Sequence, residues 1–177
     1  MRIIGGRCRG RVVRFPATAA VRPTPDRVRE TLFNWLGQSM DDRATLEPYA
    51  GSGVLSLESL SRGARLAVAV DQDARLVASL RDNAAHMALA GCEPHRADAR
   101  RFLAGEVRRF DAIFLDPPFG DDPWDWLLTA CEARLAPGGA IYAEAAHPVA
   151  PPAALTVVRS GRAGQVYYHL LRRPEDA

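Results

Sequence analysis

Lysine is absent from this chain of 177 residues: all 23 of its basic side chains are arginine. A compositional bias accounts for arginine in place of lysine, but not for where the arginines fall. Cysteine is scarce as well. Cys8, Cys92 and Cys131 are odd in number, far apart and without a C-x-x-C pair, which argues against a disulfide framework and a zinc site and fits a reducing compartment. No run approaches the ~18–20 uninterrupted apolar residues that a membrane span needs. The start, Met1-Arg2-Ile3-Ile4-Gly5-Gly6-Arg7, has no apolar stretch leading to a small-residue cleavage site, so a cytoplasmic location is expected rather than secretion. Solenoid repeats and low-complexity blocks are also missing.

What is present is one domain's worth of ordinary globular sequence, 47% hydrophobic and 25% charged, enough to bury a single core. The net charge of +2 conceals an asymmetry. Residues 1–29 hold eight arginines against Asp26 alone, and the other 148 residues carry 15 arginines against 20 acids. A basic arm beside a mildly acidic body suits contact with a phosphate backbone, although a solvated basic face has the same composition. The candidate contacts are Arg2, Arg7, Arg9, Arg11, Arg14, Arg22 and Arg29.

Residues 2–15 alternate basic and apolar side chains around glycines, the pattern of a small β-hairpin or extended arm. After Arg22-Pro23, Thr24 is positioned to cap a helix with Pro25 at its first position and Asp26 in its first turn. Val28, Leu32, Trp35 and Leu36 give that helix an apolar stripe, with Phe33 on its flank and Gly37 near its end. From residue 44 onward the pattern becomes strand-then-helix. Strands are expected at 66–70, 111–115 and 140–143, and helices at 54–62, 73–90 and 123–136. A closing antiparallel pair is expected at 154–158 and 165–171. Such alternation predicts an α/β fold, a mostly parallel sheet with helices on both faces. The organisation expected is a basic arm over residues 1–24 and one globular domain over 25–177.

Two loops carry chemistry. In Glu47-Pro48-Tyr49-Ala50-Gly51-Ser52-Gly53 a strand runs into a G-x-G turn and then a helix, whose first N–H groups are open to a ligand. G-x-G alone is weak evidence. It gains weight from Asp71 at the end of the next strand, where a carboxylate accepts hydrogen bonds from a ribose diol. A dinucleotide fingerprint would place Gly or Ala where Ser56 stands, and Glu47 would repel a pyrophosphate. An acid there suits a cofactor with an ammonium and no phosphate, a description that S-adenosylmethionine fits. Asp98 ends a third strand, where it either accepts the adenine amino group or caps a helix.

The second loop is Asp116-Pro117-Pro118-Phe119. Two prolines stiffen it and remove two N–H donors, so the Asp116 carboxylate and Pro117 carbonyl present acceptors only. Acceptors are what the exocyclic NH2 of a nucleobase requires, and Phe119 offers a stacking surface. His86, His95, His147 and His169 are scattered without metal-ligand spacing and read as surface or structural residues. Trp124 and Trp126 either pack or line a base pocket, and Tyr167-Tyr168 alternate across a terminal strand.

Arg22-Pro23-Thr24-Pro25-Asp26-Arg27-Val28-Arg29-Glu30, Ala50-Gly51-Ser52-Gly53, Leu60-Ser61-Arg62-Gly63-Ala64, Asp116-Pro117-Pro118-Phe119 and Gly161-Arg162-Ala163-Gly164-Gln165-Val166 together resemble the RsmD family, across nearly the whole chain. Two positions depart from that family's usual pattern: Glu47 stands where aspartate is usual, and Pro25 where a second threonine is. The resemblance implies a class I methyltransferase fold with a seven-stranded sheet and transfer of a methyl from S-adenosylmethionine to N2 of a guanine in 16S ribosomal RNA. The partner implied is that RNA or the assembling small subunit, with no membrane, no metal and a monomeric enzyme. Catalysis then falls to Asp116, Pro117, Pro118 and Phe119. The cofactor site takes Glu47, Tyr49, Ala50, Gly51, Ser52 and Gly53 from the first loop. Asp71, Gln72, Asp98, Ala99 and Thr24 complete it. Rival readings are an adenine-N6 methyltransferase with the same pocket, a nicotinamide-dependent oxidoreductase and a non-catalytic RNA-binding module.

Overall fold

The computed structural model describes residues 1–17, 21 and 24–177. The elements follow in the order α1 (Asp26–Leu36), β1 (Ala44–Glu47), α2 (Val54–Ser61), β2 (Leu66–Asp71), α3 (Ala74–His86), β3 (Cys92–Arg96) and α4 (Ala99–Gly105). Then come β4 (Phe110–Leu115), α5 (Trp124–Glu132), β5 (Leu135–Ala145), β6 (Thr156–Ala163) and β7 (Val166–Arg172). The strands form one seven-stranded sheet in the order β3-β2-β1-β4-β5-β7-β6. Five strands are parallel, and β7 runs antiparallel to both β5 and β6. This is the expected fold class.

Alternation along each strand divides the core in two. Ala67, Ala69, Ala112 and Phe114 face α1, α2 and α3, whereas Val68, Val70, Ile113 and Leu115 face α4 and α5. Burial on both faces explains why these strands read as continuous apolar runs. Because β1 lies between β2 and β4, the chain departs to either side of it, and the crevice above β1 is where open α/β sheets bind ligands.

Several elements differ from their sequence reading. The helix expected at 123–136 ends at Glu132, and the strand expected at 154–158 runs on as β6 to Ala163. The helix expected at 73–90 stops at His86, where the chain reverses through Ala88 at φ +52°. The strand expected at 140–143 extends back to Leu135, with a register shift against β4 between Phe110 and Ala112 that accommodates Pro137, Gly138 and Gly139; a bulge is where a proline is tolerated in a sheet. Residues 1–13 form no named strands, although the Ile3 N–H donates to the Arg11 carbonyl at 3.0 Å and the Val13 N–H to the Met1 carbonyl at 2.9 Å. They fold back through one isolated antiparallel bridge, Arg2 to Val12, around a short 3-10 turn at Gly6–Cys8. Ile3, Cys8 and Val13 are buried in the α1–α3 core, so this segment is docked onto the domain.

Side chains hold that dock in place. Ser61 Oγ accepts the Cys8 N–H and donates to the Gly5 carbonyl, at 2.9 and 2.6 Å. Asn83 accepts the Arg14 N–H and donates to its carbonyl, at 3.0 and 2.6 Å.

A candidate methyl-transfer site at the carboxyl edge of the sheet

A cavity of about 570 Å³ opens above the carboxyl ends of β1, β2 and β4, reaching to the residues after β3. The β1–α2 loop and the Asp116–Phe119 turn both line it, so open space separates Asp116 from the glycine bend. Gly51 and Gly53 take left-handed φ values of +52° and +69°, and a Cβ on Gly53 would sit 2.5 Å from the Leu80 side chain. Both positions therefore demand glycine.

Asp71 stiffens the loop. One carboxylate oxygen accepts the Gly51 N–H and the other the Asp73 N–H, each at 2.8 Å. Each oxygen retains a further lone pair, enough for a vicinal diol. Glu47 lies deeper, only 5% exposed, with Oε2 accepting the Ser56 N–H at 3.0 Å and the Ser56 hydroxyl at 2.5 Å. Burial pushes its carboxyl up to about 8 against the pull of these Ser56 bonds, and the nearby Asp116 and Asp71 charges push the same way. Among the described residues no cation offsets this burial, and a positively charged ligand group would. Tyr49 lines the cavity with its phenol raised to about 12, mainly by burial.

Asp98 caps a helix. Its carboxylate accepts the Arg101 N–H at 2.9 Å as the cap of α4 and the Gln72 amide at 3.2 Å. Its neighbours Ala97 and Ala99 face the cavity, as does Gln72. The expected cap role of Thr24 is corrected: α1 is preceded by Pro25 with no side-chain cap. Thr24 instead lines the cavity and donates its hydroxyl to Glu144 Oε1 at 3.1 Å. Tyr142 donates to the same oxygen at 3.0 Å. Tyr142 and Glu144 were missed in the sequence. The signal was a polar pair spaced i, i+2 at the end of a buried strand, where β1, β2 and β4 also end in or deliver acids.

Asp116 is half-buried at the cavity edge, Pro117 is buried, and Phe119 is 37% exposed at the mouth. The turn closes with the Asp121 N–H donating to the Pro118 carbonyl at 3.0 Å. Trp124 packs in the α4–α5 core and Trp126 against it. His169 is buried and structural. The Val149 N–H donates to its Nε2 at 3.4 Å, which leaves Nδ1 to donate to Ser160 at 2.9 Å.

The basic residues separate into two groups. Arg2, Arg7, Arg9, Arg11 and Arg14 are exposed. Arg29 is wholly buried and ion-paired to Asp26 and Glu58, which corrects its assignment as a nucleic-acid contact. It sits on the same α1 stripe as Leu32, Phe33 and Leu36, at the i+3, i+4 and i+7 spacing that marks an inward face. Arg22 lies outside the described residues, as does Pro23. Residues 4–8 pack at the far end of α2, against Ser61, about 12 Å along the helix axis from the cavity-facing start.

Among the described residues no cluster of His, Cys, Asp or Glu is arranged to hold a metal, and no helix is long and apolar enough to cross a membrane.

Residues 1–172 match the family model described as "Conserved hypothetical protein 95". The chain is 37% identical to "Ribosomal RNA small subunit methyltransferase D" of Escherichia coli K12, over 98% of this chain and 90% of that protein. It is 33% identical to the protein of the same name from Haemophilus influenzae, over 96% and 92%. In structure it is similar to the putative methyltransferase yhhF from Escherichia coli, with a TM-score of 0.89 and 38% identity over 98% of this chain and 97% of that one. The sheet order, the strand-end acids and these matches agree: the chain belongs to the family described as Conserved hypothetical protein 95, the RsmD family.

Proposed function

We propose that this protein is an S-adenosylmethionine-dependent methyltransferase acting on N2 of a guanine in 16S ribosomal RNA, in the cytoplasm and as a monomer, on naked RNA or on the assembling small subunit. The observation that carries this reading is the shared cavity. The Asp116–Phe119 turn, which offers acceptors, faces the same space as the glycine loop, Asp71 and Glu47, an acid with no cation beside it among the described residues. The names borne by the relatives support a ribosomal RNA substrate.

The residues present fit the cofactor. Glu47 suits an ammonium group, the remaining lone pairs of Asp71 suit a ribose diol, and Ala97, Ala99 and Tyr49 supply apolar and aromatic wall for a base. When bound, S-adenosylmethionine supplies an electrophilic methyl on a sulfonium. The chain's own residues do the rest. The Asp116 carboxylate and Pro117 carbonyl accept hydrogen bonds from the target amine, favouring a tetrahedral nitrogen whose lone pair is free to point at the methyl. Phe119 stacks on the extruded base, a contact worth ~1–3 kcal/mol. Positioning supplies much of the acceleration, since near-attack geometry is worth up to ~7–11 kcal/mol. Asp116 or water takes the amine proton once the new N–C bond has made it acidic. Arg2, Arg7, Arg9, Arg11 and Arg14 grip phosphates at a distance from the target base.

The test is to supply the protein with labelled cofactor and, separately, small ribosomal subunits, naked 16S RNA and duplex DNA, and to identify the methylated nucleoside. The expected product is N2-methylguanine in RNA. Label in N6-methyladenine, or in DNA alone, would sink the assignment.

A further inference from the structure

The carboxyl edge continues past Asp116 along the strands that follow it in the sheet. Leu115, the last residue of β4, pairs with Ala143 of β5; the Asp116–Phe119 turn leaves the sheet there, while β5 runs two residues further to Ala145. Ala145 pairs with Tyr167 of β7, and Tyr167 pairs with Arg162 of β6. With strands about 4.8 Å apart, Tyr167 stands about 10 Å and Arg162 about 15 Å across the edge from the line of β4.

These two side chains form a unit. The Arg162 guanidinium carbon lies 4.9 Å from the centroid of the Tyr167 ring, and Arg162 Nε donates to the Gly164 carbonyl at 2.9 Å, which fixes the guanidinium over the ring. Their neighbour Tyr168 points to the other face, against Trp35 at 5.5 Å and Tyr142 at 6.5 Å, and packs on the α1–α3 core. Tyr167, by contrast, belongs to neither hydrophobic cluster among the described residues. The comparable pair of Arg100 and Trp126 does serve packing, because Trp126 lies against the α4–α5 core. An exposed arginine fixed over a half-buried tyrosine that, among the described residues, joins neither core cluster is poorly explained by core packing. Its geometry suits a ligand with a flat ring and an anionic link, and a nucleic acid strand has both.

We propose that Arg162 and Tyr167 form a second RNA-binding ledge, on which a base flanking the target nucleotide stacks while the guanidinium meets the adjoining phosphate. This rests on the RNA substrate proposed above. It also supplies what the N-terminal arginines do not: residues 4–8 dock at the end of α2 away from the cavity, whereas the ledge shares the edge on which the extruded base must be held.

The experiment measures methyl transfer to RNA as a function of RNA concentration and salt for wild type, Tyr167→Ala, Tyr167→Leu, Tyr167→Trp and Arg162→Ala. Cofactor affinity by calorimetry and thermal unfolding of each variant serve as controls. Loss of the ring should raise KM for RNA about ten- to a hundredfold, more than it lowers kcat. Tyr167→Leu should behave as the alanine variant does, and Tyr167→Trp should retain wild-type KM, because stacking needs a π face and packing needs only bulk. Arg162→Ala should reduce the slope of log affinity against log salt by about 0.7. Rescue by leucine, or KM within twofold of wild type in both alanine variants, would overturn the ledge while leaving the methyltransferase reading intact. Failure of wild type to methylate any RNA would remove both.

Discussion

Two glutamates are buried against the same short helix, Glu58 on α2 itself and Glu47 at the end of β1 beside it, and their surroundings differ in kind. Glu58, on the inner face of α2, is clamped. Arg62 meets Oε1 at 3.0 Å, and Arg29 at 3.3 Å and the Ile4 N–H at 3.0 Å meet Oε2. Glu47, beside the start of that helix, has two bonds from Ser56 and, among the described residues, no cation. The first region is finished as protein: each buried charge has its counter-charge, and the seam between α1, α2 and the N-terminal segment is closed. The second is left unbalanced, with Glu47, Asp71 and Asp116 around one cavity. Charge balance within the fold marks the frame, and its absence marks where a ligand completes the molecule.

The largest effect should come from breaking the frame. Arg29→Met removes a cation from a buried pair, a change that typically costs about 3–5 kcal/mol, read as a fall in the urea midpoint. The salt dependence of RNA binding should not change, and a shallower salt slope would return Arg29 to the RNA-contacting set. Next is Asp116→Ala. It should lower methyl transfer on the order of 10²–10³-fold, with unfolding and calorimetric cofactor affinity close to wild type. Unchanged turnover would take Asp116 out of the mechanism.

A third variant sharpens the contrast through pH. Glu47 holds its proton to about 8 in the fold against 4.5 ordinarily, so across pH 5–8 the folded chain binds more protons than the unfolded one. Glu47's contribution to the stability of the cofactor-free protein should therefore be greatest at the acid end of that window and decline as pH rises through it. His169, whose imidazole burial holds below its ordinary value, sets an opposite and smaller slope against it. Glu47→Gln should flatten the decline in a series of thermal melts. Binding a cationic group favours the ionised acid, so cofactor affinity should increase with pH up to about 8 in wild type and lose that dependence in the variant. The smallest effect per residue belongs to the rim: charge reversal at Arg7, Arg9 and Arg11 should reduce the salt slope by at least about 2 and leave cofactor affinity alone.

Much of this was legible in the sequence because strand ends are local signals. A short apolar run ending in an acid places Glu47, Asp71 and Asp116 on one edge once the strands are parallel. Arg29 was misread because a count of charge along the chain ignores facing, although its spacing from Leu32, Phe33 and Leu36 records it. Thr24 looked like a cap, but Pro25 precedes the helix, and the hydroxyl bonds to Glu144, a residue 120 positions away. The alternation in residues 2–15 suggested a small hairpin or extended arm, and the segment does fold back through Arg2 and Val12. What docks it on the domain is pairing with Ser61 and Asn83, which no local pattern announces. Asp98 offered two roles from one sequence signal; its Oδ1 caps α4 through the Arg101 N–H, which does not exclude the other.

The way residues 1–13 are fastened makes Cys8 a natural reporter. Its thiol is buried under the segment's own fold, 3.7 Å from the Met87 carbonyl, whereas Cys131 lies in the opposite core, its thiol raised far beyond the ordinary value by burial. In a Cys92→Ser background, peeling the amino terminus away would expose one sulfur and global unfolding both. The ratio of their alkylation rates would then clock how often the segment detaches from a domain that stays whole.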